Sequence, residues 1–526
     1  MIDPAADPAP AGARATSRPI GAAEVALLAS VFVVAACGLV YELAAGTLAS
    51  YLLGDSILQF STVIGTYLFA MGAGSWLSRY LERQLVAQFL RIELLVGLIG
   101  GLMPAALFAL QSLSTTSFRF ALYALVLLVG ILVGLEIPLV MRILKRHVGG
   151  AKGGLKTLVS QVLTFDYLGA LAVAIAFPLL LVPQLGLIRT GALFGLMNAG
   201  VAVWALWLFR GELRRFAAHA VACALTIVAL GAAFAAADRV TTWAEDRFYA
   251  DQVIYSETSA YQRVVVTASR AGVRLFLNGN LQFHSRDEYR YHEALVHPAL
   301  AAAGAPRRVL VLGGGDGMAV REVLRHPSVE RVTLVELDPH MTTLFSTAPL
   351  LVALNGDSLR SPKVAIVNAD AFAWLEQHDE IFDAIVVDFP DPTNFSIGKL
   401  YTRTFYELID RHLSASGYAV VQTTSPLIAR KSFWTVVTTI EAAGLATAPY
   451  HAHVPSFGEW GFVIASRRPF KAPTALPAGL RFLTRAGLPA LFDFPPDMAR
   501  VAAEVNRLSN QVLVQTFEDE WGKVQR

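Results

Sequence analysis

Seven long apolar stretches crowd the first part of this 526-residue chain, at 23–52, 58–78, 88–111, 118–141, 157–182, 187–209 and 216–237. Each reaches the roughly 20 residues that cross a hydrocarbon layer. A backbone in such a layer must pair its own polar groups, and the connections here are short. An up-and-down bundle of about seven transmembrane helices is therefore the natural reading. The bias colours the whole composition, with 55% hydrophobic and only 16% charged residues, far from a soluble average. Residues 1–20, rich in Ala and Pro, read as a disordered tail. The apolar run after them is too long for a signal-peptide core. The multi-pass region is expected over 21–240, a small β subdomain over 241–300 and an α/β domain over 301–526.

Basic residues alternate between connections. Arg79, Arg83 and Arg91 follow the second stretch, Arg142, Lys145, Arg146, Lys152 and Lys156 the fourth, and Arg210, Arg214 and Arg215 the sixth. The intervening connections hold Arg119, Arg189 or none. This pattern puts the N-terminus in the cytoplasm and, with seven crossings, everything after Ala237 outside. Glu42, Glu93, Glu136 and Asp166 sit in or at the edge of the apolar stretches, where acids either hydrogen-bond between helices, often in the protonated form, or serve transport or amine binding. Gly72-Ala73-Gly74-Ser75 suggests close helix packing. No repeat relates the two halves of the bundle, which argues mildly against a transporter. Cys37 and Cys223 suggest neither a disulfide framework nor a metal site. A net charge of +2 gives no case for nucleic acid.

The later half changes period. Residues 262–267 and 273–277 read as strands, and Asn278-Gly279 is a hairpin turn into 281–283. A helix follows from about Arg286 to Leu300, with Asp287 and Glu288 in its first turn. Taken alone, Tyr291 and His292 read as surface residues of it. Then 307–339 runs strand, Gly313-Gly314-Gly315-Asp316-Gly317, helix, strand, Glu336-Leu337-Asp338. That is the first half of a nucleotide-binding α/β sheet, its later acid placed for ribose hydroxyls. A helix over 341–354 leads to a strand ending at Asp370, and a buried strand ends in Asp388-Phe389-Pro390-Asp391. Strands at 418–423 and 461–465 complete a doubly wound, mostly parallel sheet. His451-x-His453 has metal-ligand spacing but no third ligand at hand. Asp316, Glu336, Asp370 and Asp388 thus fall at or beside successive strand ends, with Asp391 just beyond. No base in the glycine turn answers a phosphate. Such a cleft suits a cationic sulfonium nucleoside and an amine better than a pyrophosphate. Asp388 and Asp391 could position and deprotonate that amine, or simply cap a turn.

At these residues the chain resembles the spermidine synthases, the polyamine aminopropyltransferases. The resemblance rests on Tyr261-Gln262, Asn278-Gly279-x-x-Gln282, Asp287-Glu288-x-x-Tyr291-His292-Glu293, the glycine turn, Val335-Glu336-Leu337-Asp338, Asp370-Ala371 and Asp388-x-x-Asp391-Pro392. Residues 38–43 and 51–55 resemble the membrane-embedded bacterial branch. The resemblance implies a Rossmann-like catalytic domain and a place in the bacterial inner membrane. It implies that Gln262, Glu336, Asp370 and Ala371 bind decarboxylated S-adenosylmethionine or methylthioadenosine. Asp316 would meet the aminopropyl ammonium. Tyr291, His292 and Asp391 would hold a putrescine-like amine, and Asp388 would be the base. The donor is a co-substrate; no other cofactor and no metal is implied, and a dimer or tetramer is. The chain departs from the family at Thr393–Gly398, which lacks a second proline, and at His453–Trp460, which lacks a tyrosine. An S-adenosylmethionine-dependent methyltransferase, and a polyamine transporter or sensor with a non-catalytic soluble half, stay open as alternatives. So does the side of the membrane, because loop charge and the cytoplasmic origin of the donor point opposite ways.

Overall fold

The computed structural model describes residues 22–53, 56–111, 115–148, 155–259 and 261–524. The expected tail and the Gly54-Asp55 pair lie outside them. The chain forms two compact units. One holds the helices out to Gly46 and from Thr62 to Val240; the other takes Thr47–Ser61 with the chain from Thr241 on.

The first unit is helical throughout: α1 (Ala22–Leu53), α2 (Ser56–Leu77), α3 (Leu85–Gln111), α4 (Thr115–Val148), α5 (Leu155–Ala176), α6 (Val182–Leu208) and α7 (Phe216–Phe248). Among the described residues, five stretches are long and apolar enough to cross a membrane, at 28–50, 85–110, 117–146, 159–208 and 216–241. The fourth spans α5 and α6, whose continuity breaks at Gly186, with φ 71°. The small residues do what their spacing suggests. A Cβ on Gly74 would lie 2.0 Å from Ile131 O, and one on Gly134 2.2 Å from Met71 O, so α2 and α4 meet backbone to backbone. Basic residues from three of the connections come together: Arg91, Arg146, Arg214 and Arg215, with Glu212 and His219, line one cavity of about 370 Å³.

α7 runs past the expected boundary at 240, and the second unit's first strand, absent from the sequence reading, is β1 (Gln252–Thr258). With β2 (Arg263–Ser269), β3 (Gly272–Leu277) and β4 (Asn280–His284) it makes an antiparallel sheet in the order 1-2-3-4. Asn278 (φ 48°) and Gly279 (φ 81°) form the expected two-residue turn. Then come α8 (Glu288–Ala302), β5 (Arg308–Gly313), α9 (Met318–Val323), β6 (Arg331–Glu336), α10 (Pro339–Thr347), α11 (Pro349–Asn355), β7 (Val364–Asn368), α12 (Ala371–Gln377), β8 (Phe382–Asp388), β9 (Leu413–Gln422), β10 (Ala446–Val454) and β11 (Gly458–Ser466). The single helix expected over 341–354 is two, because Pro349 cannot continue α10.

The large sheet runs β10-β11-β9-β8-β5-β6-β7. The last five of these are parallel; β11 and β10 add antiparallel strands at one edge. Alternate residues of β5 supply two cores, Val309 and Val311 to one face, Leu310 and Leu312 to the other. The first face also packs Val264, Leu275 and Phe283 of the small sheet and Leu295 of α8. The small sheet therefore closes over the large one and shares its core. From β5 the chain winds out to β6 and β7, then crosses back to β8 on the other side. Ligands of such sheets bind where the winding reverses, beyond the carboxyl ends of the strands. Here that is the gap between β5 and β8, where Gly313 pairs with Asp388.

Candidate active site

The glycine turn sits in that gap because nothing larger fits. Gly313 has φ 77°, and a Cβ there would lie 2.3 Å from Asp388 O. One on Gly315 would lie 2.7 Å from Glu336 Cγ. The turn thus brings the ends of β5, β6 and β8 into van der Waals contact. Glu336 is held by two backbone donors, Gly315 N–H to Oε2 at 3.1 Å and Asp338 N–H to Oε1 at 2.9 Å. Burial still raises its carboxyl to about 7. Gln262 reaches this corner indirectly: its Nε2 donates to Asp338 Oδ2 at 3.1 Å, beside Ser259 Oγ at 2.7 Å.

The motif at the start of α8 separates into five tasks. Asp287 does not cap its own helix; its carboxylate accepts from Ser456 N–H (2.7 Å) and Oγ (2.9 Å), fixing the loop between β10 and β11. Glu288 accepts from His292 Nδ1 at 2.7 Å and from Arg321 Nη2 at 2.9 Å. Tyr291 Oη donates to Asp388 Oδ1 at 2.6 Å. His292 interacts electrostatically with Glu288, Asp316 and Asp388. Glu293 takes three backbone N–H groups, those of Arg481, Phe482 and Leu483, at 2.7–3.0 Å. The surface reading of Tyr291 and His292 is overturned: they are only 9% and 3% exposed. α8 is covered by α9 and by strands of the large sheet, so its polar face turns into the cleft.

Four acids and a histidine share this space, and their protonation follows from it. Burial raises Asp388 to about 6, with Asp316 adding to the rise while His292 and the Tyr291 hydrogen bond oppose it. Asp316, which accepts from Met318 N–H at 2.9 Å, is likewise raised by burial. Asp391 is pushed by burial to about 8, and its Oδ1 is buried without a partner. For His292 burial works against the proton, but the Glu288 carboxylate outweighs it and lifts the imidazole to about 8. At neutral pH the cleft therefore holds a cation of its own, a histidine proton among acids.

Asp370 lies at the end of β7. Its Oδ1 accepts from Phe372 and Ala373 N–H as the cap of α12, and its Oδ2 accepts from Lys399 Nζ at 2.6 Å. Burial would raise this acid, but those bonds hold it below the ordinary range. Ala371 is the buried first residue of α12. A bond from Ala369 N–H to Glu336 O (3.1 Å) ties this strand end to that of β6. His451 and His453 lie on β10 and share Glu459 of β11, at 3.1 Å and 3.2 Å.

Residues 288–472 match a family model described as spermine/spermidine synthase domain. Polyamine aminopropyltransferase 1 of Ralstonia nicotianae is 55% identical, over 99% of this chain and 99% of its own. The polyamine aminopropyltransferase of Leptospira interrogans is 50% identical over 95% of this chain and 99% of its own. The chain belongs to the polyamine aminopropyltransferase family. Because those alignments run nearly end to end, these relatives share the apolar N-terminal half as well. A solved spermidine synthase in complex with the transition state analogue AdoDATO aligns over 46% of this chain and 85% of its own, at 27% identity and a TM-score of 0.43.

In this aminopropyltransferase the structure gathers Tyr291, His292, Asp316, Glu336, Asp388 and Asp391 around one strand-end gap. Gln262 joins through Asp338, and Asp370 with Ala371 through the neighbouring strand end. Sequence reasoning missed Arg321, Lys399 and the clamp that sets the backbone before Asp391. There Tyr401 Oη donates to Pro390 O at 3.1 Å, Gln422 Nε2 donates to Tyr401 Oη at 2.9 Å, and Trp460 Nε1 donates to Gln422 Oε1 at 3.1 Å. Glu288 was visible in the motif, but only the fold reveals that it serves His292.

Proposed function

We propose that this chain is a multi-pass bacterial inner-membrane enzyme, its seven helices seven crossings, that moves the aminopropyl group of decarboxylated S-adenosylmethionine to putrescine or a related amine and releases methylthioadenosine. The carrying observation is the acid pair after β8. Asp388 is bonded by Tyr291, and Asp391 keeps a buried oxygen without a partner. Both lie by a glycine turn that carries an acid and no base.

In this reading Glu336 takes the ribose hydroxyls, with Gln262, Asp370 and Ala371 completing the nucleoside site, and Asp316 meets the aminopropyl ammonium. An acid at that point repels the carboxylate of intact S-adenosylmethionine, which favours the decarboxylated donor. Asp391, Tyr291 and His292 hold the acceptor, and His292 gives up its proton to do so. Asp388 removes a proton as the amine nitrogen attacks the methylene beside sulfur. The C–N bond forms, the C–S bond breaks with its electrons going to sulfur, and the proton ends on Asp388. The donor is the only co-substrate in this scheme. In the loop that lacks the family's tyrosine, Phe457 has its ring centroid 6.3 Å from that of Tyr291 and 5.2 Å from that of Trp460. This apolar wall suits the methylene chain of a diamine. Homo-oligomerisation as a dimer or tetramer completes the proposal.

The test is to incubate the purified full chain in nanodiscs with decarboxylated donor and putrescine and follow methylthioadenosine. Release that depends on the amine is expected. Folded protein that releases none with any diamine or polyamine overturns the reading.

A further inference from the structure

The helical unit contains a second place where acids are buried, and the catalytic reading does not use it. Glu93 of α3 and Glu136 of α4 are 0% and 1% exposed, and none of their four carboxylate oxygens has a hydrogen-bond partner. The two interact electrostatically. Tyr41 of α1 interacts with both; it is fully buried and its hydroxyl is unpartnered. Asn198 of α6, also fully buried, has neither amide atom bonded. It packs by Gly97, one turn of α3 from Glu93, where a Cβ would meet Asn198 Cβ at 3.1 Å. The helices around these groups are already in close contact. α3 and α6 already touch backbone to backbone, a Cβ on Gly195 falling 2.6 Å from Gly97 O, and Tyr41 lies flat on Gly100.

The chemistry of the cluster is one-sided. With both carboxyls ionised, four carboxylate oxygens, a carboxamide oxygen and a phenol oxygen can accept, whereas one amide NH2 and one phenol O–H can donate; with both protonated, two carboxyl O–H groups join the donors. A buried carboxyl with no cation beside it keeps its proton, and an ionised one needs such a cation, so an arriving ammonium and the loss of a carboxyl proton go together. A primary ammonium has one positive charge, three donors and no acceptor, which is the complement of this set. Asp166, half-buried, interacts with Glu136 and extends the acids toward the outside of the bundle.

We propose that Glu93, Glu136, Tyr41 and Asn198 form a binding site for the primary ammonium group of an aliphatic amine, separate from the catalytic cleft. The choice of an aliphatic amine as ligand rests on the function proposed above; the site itself does not. The bundle then senses or conducts the class of molecule that the other half consumes and makes.

The test uses the full chain in nanodiscs and equilibrium binding of radiolabelled putrescine and spermidine. The wild type is expected to bind two equivalents of amine. The Glu93→Gln/Glu136→Gln double variant is expected to bind one, with methylthioadenosine release within about twofold of wild type. Tyr41→Phe, which removes only a hydroxyl, should weaken the second equivalent about tenfold, the factor for 1.4 kcal/mol, and keeps the test alive should the double variant not fold. One equivalent on the wild type that persists in the double variant, two on the double variant, or displacement of the second equivalent by sodium at equal concentration overturns the site. Two equivalents without methylthioadenosine release leave the site standing and overturn the catalytic reading, so the two failures are distinguishable.

Discussion

Tyr291 Oη lies 2.6 Å from Asp388 Oδ1 and donates to it, joining the buried helix α8 to the end of β8. This bond lowers the proton affinity of a carboxyl that burial has raised to about 6. It stabilises the carboxylate, the form a general base needs. Tyr291→Phe should therefore move the acidic limb of kcat/KM upward from about 6, by about one pH unit if the lost bond is worth ~1.4 kcal/mol. A pH profile of methylthioadenosine release measures this. A limb that stays in place means Tyr291 acts on the amine alone.

Glu288 sets the charge of His292. The imidazole is lifted from an ordinary 6.5 to about 8, so the stabilisation from its ion pair is complete below 6.5 and is lost as pH rises through 8. In the proposed mechanism an incoming cationic amine displaces that proton and one from Asp391, whose carboxyl sits near 8. Amine binding at pH 7 should accordingly release protons, read from calorimetric titrations in buffers of different ionisation enthalpy. Glu288→Gln should reduce the release by His292's share and, with no His292 proton left to displace, lower the amine KM more than it changes kcat. Release equal to wild type would show that Glu288 does not set that charge.

Legibility in the sequence tracked the distance between partners. Gly313–Gly317, Glu336 and Asp388 were readable because each lies at the end of a β-branched run, and strand ends are where such sheets bind ligands. The helices of the first unit were readable as elements, their starts to within five residues, because apolar length survives any tertiary context; α4 and α7 run on to Val148 and Phe248, beyond the apolar ends at 141 and 237. Tyr291 and His292 were misread on their own. Polar residues behind Asp287 and Glu288 look solvated until it is known that α8 is covered on both sides. Arg321, a base in the last turn of α9, was missed because its partner Glu288 lies 33 positions earlier. Lys399 begins a short 3-10 turn, Lys399–Tyr401, just after the stretch that departs from the family, and its partner Asp370 lies 29 positions earlier. The strand β10 was missed because Pro449 and two histidines dilute its pattern.

Gly315 offers a steric test of the donor site. Its backbone is not in the left-handed region, so alanine brings no conformational strain there. The added methyl would fall 2.7 Å from Glu336 Cγ and 2.9 Å from Oε2. Gly315→Ala should displace that carboxylate, raise the KM for the decarboxylated donor about tenfold or more and leave the amine KM near wild type. The tenfold corresponds to ~1.4 kcal/mol, within the span of a hydrogen bond to a charged group. Steady-state kinetics with each substrate varied in turn decides it. Equal changes in both KM values would place Glu336 away from the nucleoside.

Glu293 ends the same motif with a different kind of task. It is 1% exposed and accepts the backbone N–H groups of Arg481, Phe482 and Leu483, which pin the irregular C-terminal stretch over α8. None of those groups reaches the cleft acids. Glu293→Gln halves the acceptors and removes the charge while keeping the shape. Stability should fall by about 1–3 kcal/mol, seen as a Tm lowered by several degrees, with kcat and both KM values of the folded protein within about twofold of wild type, under ~0.5 kcal/mol. A drop in kcat without a drop in Tm would move Glu293 from holding the fold to shaping the site, and the motif would then be catalytic along its whole length.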